Sequence, residues 1–209
     1  TIAQKLKNKF GNKVVYIPNG VDTKLFHPAK NKPKNKILQL VFIGRLEEQK
    51  NLVNLINASK NLKIPYNLIF YGQGSKSKQL INLAKHFKIP LQIKKPTDYQ
   101  NVAKILRTCD IFILPSHKEG SSKILLEALA SGCAVVASNT PQITEIITDG
   151  KTGVVSSQEP QKLTKAINKL QDYTLRQKIG RDARKLIKNK YEINKLLSQE
   201  VNILKKLSQ

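Results

Sequence analysis

The sequence predicts an α/β fold, in which helices cover both faces of a doubly wound and mostly parallel sheet. Three observations lead to this prediction. Short runs rich in Val, Ile and Leu are apolar on both faces, amphipathic runs with helical spacing lie between them, and the two patterns alternate along the 209 residues. A chain of this length suits one such domain or at most two small ones.

The individual elements follow from these two patterns. The predicted strands are Val14–Ile17, Leu38–Ile43, Asn67–Tyr71, Leu91–Lys94, Ile111–Leu114, Ala134–Ala137 and the short Gly153–Val155. The predicted helices cover residues 1–12, Asn51–Lys60, Lys76–Phe87, Tyr99–Arg107, Ser122–Ser131, Gln142–Thr148, Gln161–Leu170, Leu175–Asn189 and Ile193–Leu207. Parallel strands joined by such helices need right-handed crossovers.

The chain is strongly basic, with a formal net charge of +23 at pH 7. A non-catalytic domain that binds nucleic acid or an anionic membrane is therefore an alternative class. The arginines are few, however, and lysines are scattered along the whole chain. Because a dedicated phosphate reader clusters arginine, we expect a solvated lysine surface and no nucleic-acid partner. Peripheral contact with an anionic membrane fits scattered lysines better.

The cysteines and the hydropathy pattern exclude other classes. Cys109 and Cys133 lie in apolar stretches without zinc-site spacing, which predicts buried structural thiols in a reducing compartment. The sequence contains no apolar run of about 20 residues, the length that a membrane-spanning helix needs. The first residue is Thr1 rather than Met, so we expect a segment of a longer protein.

Open α/β sheets bind ligands at the carboxyl ends of their strands, so each strand-to-helix junction is a candidate site. At Ile43–Asn51 (IGRLEEQKN), Gly44 ends a strand, and Arg45 and Lys50 flank the turn before a helix. Two cations beside a helix N-terminus suit a diphosphate. The alternative is a surface ion pair with the two glutamates of the turn. At Phe70–Lys76 (FYGQGSK) the glycines resemble part of a phosphate-binding loop.

The junction Leu114–Gly132 (LPSHKEGSSKILLEALASG) is the most informative. Backbone N–H groups of Gly120, Ser121 and Ser122 would form an anion cradle at the start of a helix. Glu119 precedes this cradle, and Glu127 falls within the apolar run ILLEALA. Because an unpaired buried carboxylate is costly, Glu127 needs a partner, either ligand hydroxyls or a structural ion pair.

Seven residues separate Glu119 from Glu127, which matches the E-x7-E signature of retaining glycosyltransferases with the GT-B fold, the large family-four group. The segments IPNGVDTKLFHP (Ile17–Pro28), IGRLEEQKN, YGQGSK and LPSHKEGSSKILLEALASGCAVVAS also resemble that family's motifs, in the same order. The resemblance covers nearly the whole chain. It implies the C-terminal, donor-binding half of a two-domain enzyme.

The resemblance also implies roles for single residues. The donor diphosphate would be bound by Gly44, Arg45, Lys50 and the backbone of Gly120, Ser121 and Ser122. Glu119 would contact the donor sugar, which makes Glu119, Arg45 and Lys50 the catalytic residues. The nucleotide ribose would be bound by Glu127, and the base by main-chain groups of Ile93 and Lys94.

The implied reaction transfers a sugar from a nucleoside diphosphate, UDP- or GDP-sugar, to an acceptor hydroxyl with retention. Cell-surface polysaccharide or glycolipid synthesis is the implied setting. We expect no cofactor and no metal, because the Asp-x-Asp pattern of metal-dependent glycosyltransferases is absent. A different enzyme with the same fold, such as a nucleotide-sugar epimerase or a phosphorylase, is an alternative.

In the implied enzyme, residues 1–12 would be a helix from the N-terminal domain. Residues 13–190 would form the Rossmann-like nucleotide-sugar-binding domain, and residues 191–209 a helix that crosses back. The N-terminal domain would bind the acceptor, a glycan or lipid-linked sugar. We therefore expect the isolated chain to bind donor without transferring it. The expected location is the cytoplasm, with peripheral contact at the inner face of the plasma membrane.

Overall fold

A computed structural model describes residues 2–11, 14–30, 32, 34–120 and 122–207. Within these residues, six parallel strands form one sheet in the order β3-β2-β1-β4-β5-β6. The strands are β1 (Leu38–Ile43), β2 (Tyr66–Tyr71), β3 (Leu91–Lys94), β4 (Ile111–Leu114), β5 (Ala134–Ser138) and β6 (Val154–Ser156). The helices are α1 (Ile2–Phe10), α2 (Leu52–Ser59), α3 (Ser77–His86), α4 (Tyr99–Thr108), α5 (Lys123–Ala130), α6 (Pro141–Thr144), α7 (Pro160–Lys169), α8 (Tyr173–Lys190) and α9 (Ile193–Leu207).

The order of the strands reverses between β1 and β4. The chain builds outwards from β1 through β2 to β3, and then returns to place β4, β5 and β6 on the other side of β1. This is the strand order of Rossmann folds, which opens a crevice at the carboxyl ends of the two central strands. Because β1 and β4 pair through Leu40 with Ile111 and Val41 with Phe112, the loops that follow them start side by side.

The core consists of aliphatic and aromatic side chains between the sheet and its helices. Phe42 on β1 and Phe70 on β2 are fully buried, and their rings meet edge to face with centroids 5.7 Å apart. Every residue of α5 from Leu125 to Ala130 is buried, and Glu127 is the charged member of this set.

Two arginines hold the segment that precedes the sheet. Arg184 on α8 donates to the carbonyls of Thr23 and Ala130, both over 2.8 Å. Arg107 at the end of α4 donates to the Leu25 carbonyl over 2.7 Å. These two arginines therefore stabilise the fold through main-chain hydrogen bonds. The sequence had indicated only a solvated basic surface.

The predicted strand Val14–Ile17 is wrong. Residues 14–20 have no regular secondary structure, and Val15 and Tyr16 are exposed. A short apolar run becomes a strand only where another strand pairs with its backbone, which the residue pattern cannot show. The predicted helix Gln142–Thr148 is shorter in the structure, since α6 ends at Thr144.

The first and last helices carry exposed apolar side chains. Leu6 and Phe10 are exposed on α1, and Leu197, Val201 and Leu204 form a row on the surface of α9. None of the helices in the described part of the chain has the length and hydrophobicity of a membrane-spanning segment. The division into residues 1–12, 13–190 and 191–209 stays a prediction.

Candidate functional site

The loops after β1 and β4 are joined at the crevice. Lys50, at the end of a 3-10 turn, places its Nζ 2.7 Å from Oε1 of Glu119, which lies 69 positions away in the sequence. The main chain supports this contact, because the His117 N–H donates to the Gln49 carbonyl over 2.8 Å. The Lys50 and Glu119 side chains are only 17% and 8% exposed. The structure thus brings together the predicted diphosphate and sugar ligands.

The glutamates of the β1 loop do not pair with Arg45 or Lys50. Glu47 accepts hydrogen bonds from the Ser75 hydroxyl and N–H, and Glu48 forms an ion pair with Lys76 at 2.6 Å. These contacts lower the pKa of both carboxyls. Arg45 is exposed, and no carboxylate among the described residues forms an ion pair with it. Its guanidinium is therefore available to a ligand.

The glycines of FYGQGSK let the β2 loop pack against the β1 loop. A Cβ at Gly72 would lie 1.9 Å from the Gly44 carbonyl oxygen, and one at Gly74 would lie 2.4 Å from that of Leu46. The loops are also hydrogen-bonded, since the Leu46 N–H donates to the Gln73 carbonyl over 2.9 Å. These glycines are thus needed for packing, whatever contact they make with phosphate.

Helix α5 starts directly after the β4 loop. The carbonyl of Ser122 accepts from the N–H groups of Leu125 and Leu126, and its side chain makes no capping hydrogen bond with a described residue. Gly120 is exposed, and no described atom lies within 4 Å of the place where its Cβ would stand. Uncapped N–H groups beside open space suit an anion. The predicted ligand Ser121 lies outside the described residues.

Glu127 lies one turn into α5 and is 6% exposed. Burial raises the pKa of its carboxyl, and the nearby Tyr99 hydroxyl opposes this rise. Burial and the nearby Glu127 charge raise the pKa of Tyr99 to about 12, so that the phenol remains a hydrogen-bond donor. Tyr99 is the first residue of α4, and its ring meets that of Phe26 edge to face at 4.9 Å.

Tyr99 is thus the protein partner that the sequence did not identify for Glu127. A signal for its position existed, because Asp98 is a good N-cap residue. Its side chain accepts from the Asn101 N–H over 2.8 Å and fixes the start of α4. This start places Tyr99 directly after the loop that follows β3, at the edge of the sheet where ligands bind.

Glu127→Gln is expected to stabilise the ligand-free fold at neutral pH. Because burial raises the folded-state pKa of Glu127 above its ordinary value of 4.5, ionisation of this group costs the folded state free energy. This cost is absent below the unfolded-state pKa and appears as pH rises through the folded-state pKa. Calorimetry should therefore give a higher Tm for the variant at about pH 7.5 and nearly equal values at about pH 4. A Tm difference that does not depend on pH would contradict this assignment.

A depression of about 310 Å³ opens beside Arg45 at the carboxyl edge of the sheet. Its walls include Tyr71 at the end of β2, and Pro96, Thr97 and Val102 from the loop after β3 and the helix that follows it. Tyr71 belongs to the FYGQGSK segment, whereas Pro96, Thr97 and Val102 lie in no motif that the sequence shows. The Tyr71 ring and the apolar side chains of Pro96 and Val102 suit the base of a nucleotide.

The predicted base ligands Ile93 and Lys94 lie at the end of β3, just before this depression. The Lys94 carbonyl accepts from the Gly72 N–H over 2.9 Å. The Nζ of the Lys94 side chain lies 5.6 Å from the centroid of the Tyr71 ring. Their role as base ligands stays a prediction.

Both cysteines are buried thiols without a disulfide, as the sequence indicated for Cys109 and Cys133. In the part of the chain that the structure describes, no three side chains among His, Cys, Asp and Glu gather closely enough to hold a metal ion. Metal independence stays a prediction.

The sequence matches the model of a family described as "Glycosyl transferases group 1" over residues 23–186. The chain belongs to this family. The matched range contains all six strands of the sheet and every predicted ligand from Gly44 to Glu127.

Relatives and solved structures agree with this assignment. An uncharacterized glycosyltransferase of Methanocaldococcus jannaschii is 32% identical over 186 residues, which cover 85% of this chain and 47% of that relative. The chain therefore spans about half of that relative's length. The C-terminal domain of the group 1 glycosyl transferase LpcC from Francisella tularensis superposes with a TM-score of 0.74 at 29% identity, covering 83% of this chain and 100% of that one.

HepE of Anabaena, whose structure was solved in complex with UDP and glucose, superposes with a TM-score of 0.82 at 18% identity. The match covers 91% of this chain and 56% of HepE. The fold is thus that of the C-terminal half of a GT-B glycosyltransferase, as the sequence predicted.

Proposed function

We propose that this domain binds a nucleoside-diphosphate sugar at the crevice between β1 and β4 and presents the sugar for transfer to an acceptor hydroxyl. The observation that carries the proposal is the meeting of the two loops, with Lys50 and Glu119 paired at 2.7 Å. Arg45 on the first loop and the uncapped start of α5 on the second suit a diphosphate. Glu127 offers a buried carboxylate to the neighbouring hydroxyls of a ribose.

The same groups suit the chemistry of transfer. When the bond between the anomeric carbon and the diphosphate oxygen breaks, negative charge builds on the leaving diphosphate. Arg45, Lys50 and the N–H groups of α5 would stabilise that charge without reorganising, which is an effective form of catalysis. The Glu119 carboxylate would accept a hydrogen bond from a hydroxyl of the sugar, while its ion pair with Lys50 holds it in place.

The donor, the stereochemistry and the setting are further parts of the proposal. UDP-sugar is the first candidate donor because HepE binds UDP, and GDP-sugar is the second. Retention rests on the E-x7-E motif, and metal-independent transfer without a cofactor rests on the absence of an Asp-x-Asp pattern. The acceptor would be a glycan or a lipid-linked sugar, held by a second domain. A chain of charge +23 would approach a lipid-linked acceptor at the cytoplasmic face of an anionic membrane, in cell-surface polysaccharide or glycolipid synthesis.

Calorimetric titration with UDP, GDP and ADP, each with and without an attached sugar, tests the proposal. We expect one base to be preferred. Glu127→Ala should weaken binding of that nucleotide about 10- to 100-fold, since hydrogen bonds to a charged group are lost. Glu200→Ala is the matched control, because Glu200 is an exposed glutamate on α9. The proposal fails if the folded chain binds none of these nucleotides, or if both variants bind like the wild type.

A further inference from the structure

Gln158 lies in the loop between β6 and α7 and reaches across to the β4 loop. Its Nε2 donates to the carbonyls of Ser116 and His117, over 3.2 and 3.3 Å. Its Oε1 lies 2.7 Å from Nδ1 of His117. One amide side chain therefore holds Ser116 and His117, and Glu119 follows two positions after His117 in the same loop.

The main chain of Gln158 is held in turn by residues that follow the β1 loop. Its carbonyl accepts from the side-chain amides of Asn51 and Asn54, over 3.3 and 3.2 Å. The side-chain amide of Asn51 also donates to the Pro115 carbonyl over 3.1 Å, and Asn51 is only 5% exposed. Asn51 has a left-handed backbone with a φ of 56°, which asparagine adopts more readily than most residues. Amide groups thus tie together the loops after β1, β4 and β6.

We propose that Gln158 is a positioning residue that sets the place of Glu119, and with it the grip of the domain on the donor sugar. This inference rests on the proposed function, in which Glu119 contacts the sugar. From His117 to Gly120 the β4 loop is exposed or half-buried, so that apolar packing does little to hold it. The hydrogen bonds to Gln158 and Gln49, together with the ion pair to Lys50, fix this part of the loop.

Most contacts to the diphosphate depend less on this clamp, the set of hydrogen bonds that Gln158 makes with the β4 loop. Gly120 is the predicted diphosphate ligand that lies on the clamped part of the loop. Arg45 stands on the β1 loop, and the N-terminus of α5 is fixed by a helix that is buried from Leu125 to Ala130. Loss of the Gln158 side chain should therefore weaken binding of the sugar more than binding of the nucleotide. A purely structural role would instead weaken both equally, or lower stability alone.

Hydrogen exchange of the ligand-free chain tests the clamp itself. Gln158→Ala and Gln158→Glu both remove the two N–H donors, and Gln161→Ala, at an exposed position on α7, is the matched control. In both Gln158 variants, the His117 N–H, which donates to Gln49, should exchange about tenfold faster than in the wild type. Wild-type exchange of residues 116–119 in Gln158→Ala would overturn the proposal.

Titration of the same variants tests the role in binding, with two probe pairs, UDP with UDP-glucose and GDP with GDP-mannose. For the pair that the wild type binds, Gln158→Ala should weaken the nucleotide sugar about five- to tenfold and the free nucleotide by less than about twofold. Equal losses, or none, would overturn the positioning role. If the wild type binds neither pair, this inference fails, and the proposed function fails as well if ADP and ADP-sugar do not bind either. The exchange experiment separates the two cases, because it needs no nucleotide.

Discussion

Arg45→Ala is expected to weaken UDP binding about 10- to 100-fold without lowering the Tm of the ligand-free chain. The Arg45 guanidinium is exposed, and no carboxylate of the described residues pairs with it, so the fold loses little when it is removed. A bound diphosphate, by contrast, would lose charge-assisted and geometrically matched hydrogen bonds. Titration calorimetry and a thermal melt of the same variant measure the two effects.

Arg181→Ala is the matched control for this experiment. Arg181 is an exposed arginine on α8, and its removal lowers the net charge by the same unit. General attraction of an anion to a chain of charge +23 would weaken equally in both variants. Equal affinities of the two variants for UDP would therefore show that Arg45 does not bind the diphosphate. In an enzyme that contains this domain, Arg45→Ala should also cost about 3–4 kcal/mol of transition-state stabilisation.

Gly72→Ala is expected to lower the free energy of unfolding by about 3 kcal/mol or more, which is large for a single methyl group. The added Cβ would lie 1.9 Å from the Gly44 carbonyl oxygen. Neither backbone can move away easily, because the Gly72 N–H donates to the Lys94 carbonyl and the Gly44 N–H donates to the Tyr71 carbonyl. Chemical denaturation measures the loss, and failure to fold would be the extreme form of the same result.

Gly120→Ala provides the contrast. No described atom lies within 4 Å of a Cβ at Gly120, so the same change there should alter stability by less than about 0.5 kcal/mol. A Gly72→Ala variant as stable as Gly120→Ala would mean that the β1 and β2 loops do not pack as described.

The sequence pattern predicted those elements whose residues carry their own signal. The strands Leu38–Ile43, Leu91–Lys94 and Ile111–Leu114 begin and end where the pattern placed them. Turn and polar residues mark most of these ends, namely Gly44, Pro90, Lys95, Asp110 and Pro115. The pattern failed at Val14–Ile17 because a strand also needs a neighbour. The order of the strands was likewise out of reach, because it depends on which edges pair rather than on any one segment.

For the site, motif order predicted Arg45, Lys50, Glu119 and Glu127 as ligands, and the structure pairs Lys50 with Glu119 because the loops after parallel strands meet at one edge of the sheet. The partners of these residues could not be predicted in the same way. The ion pair at Glu119 spans 69 positions, and Gln158 reaches the β4 loop from beyond β6. Contacts of this kind depend on tertiary packing, which periodicity does not encode.

A crystal structure of this chain with UDP, or with whichever nucleotide binds most tightly, tests the central claim most directly. We predict diphosphate oxygens within about 3 Å of the Arg45 guanidinium and of N–H groups at the start of α5, with ribose hydroxyls on Glu127. A nucleotide bound to the lysine surface, away from the crevice between β1 and β4, would contradict the account.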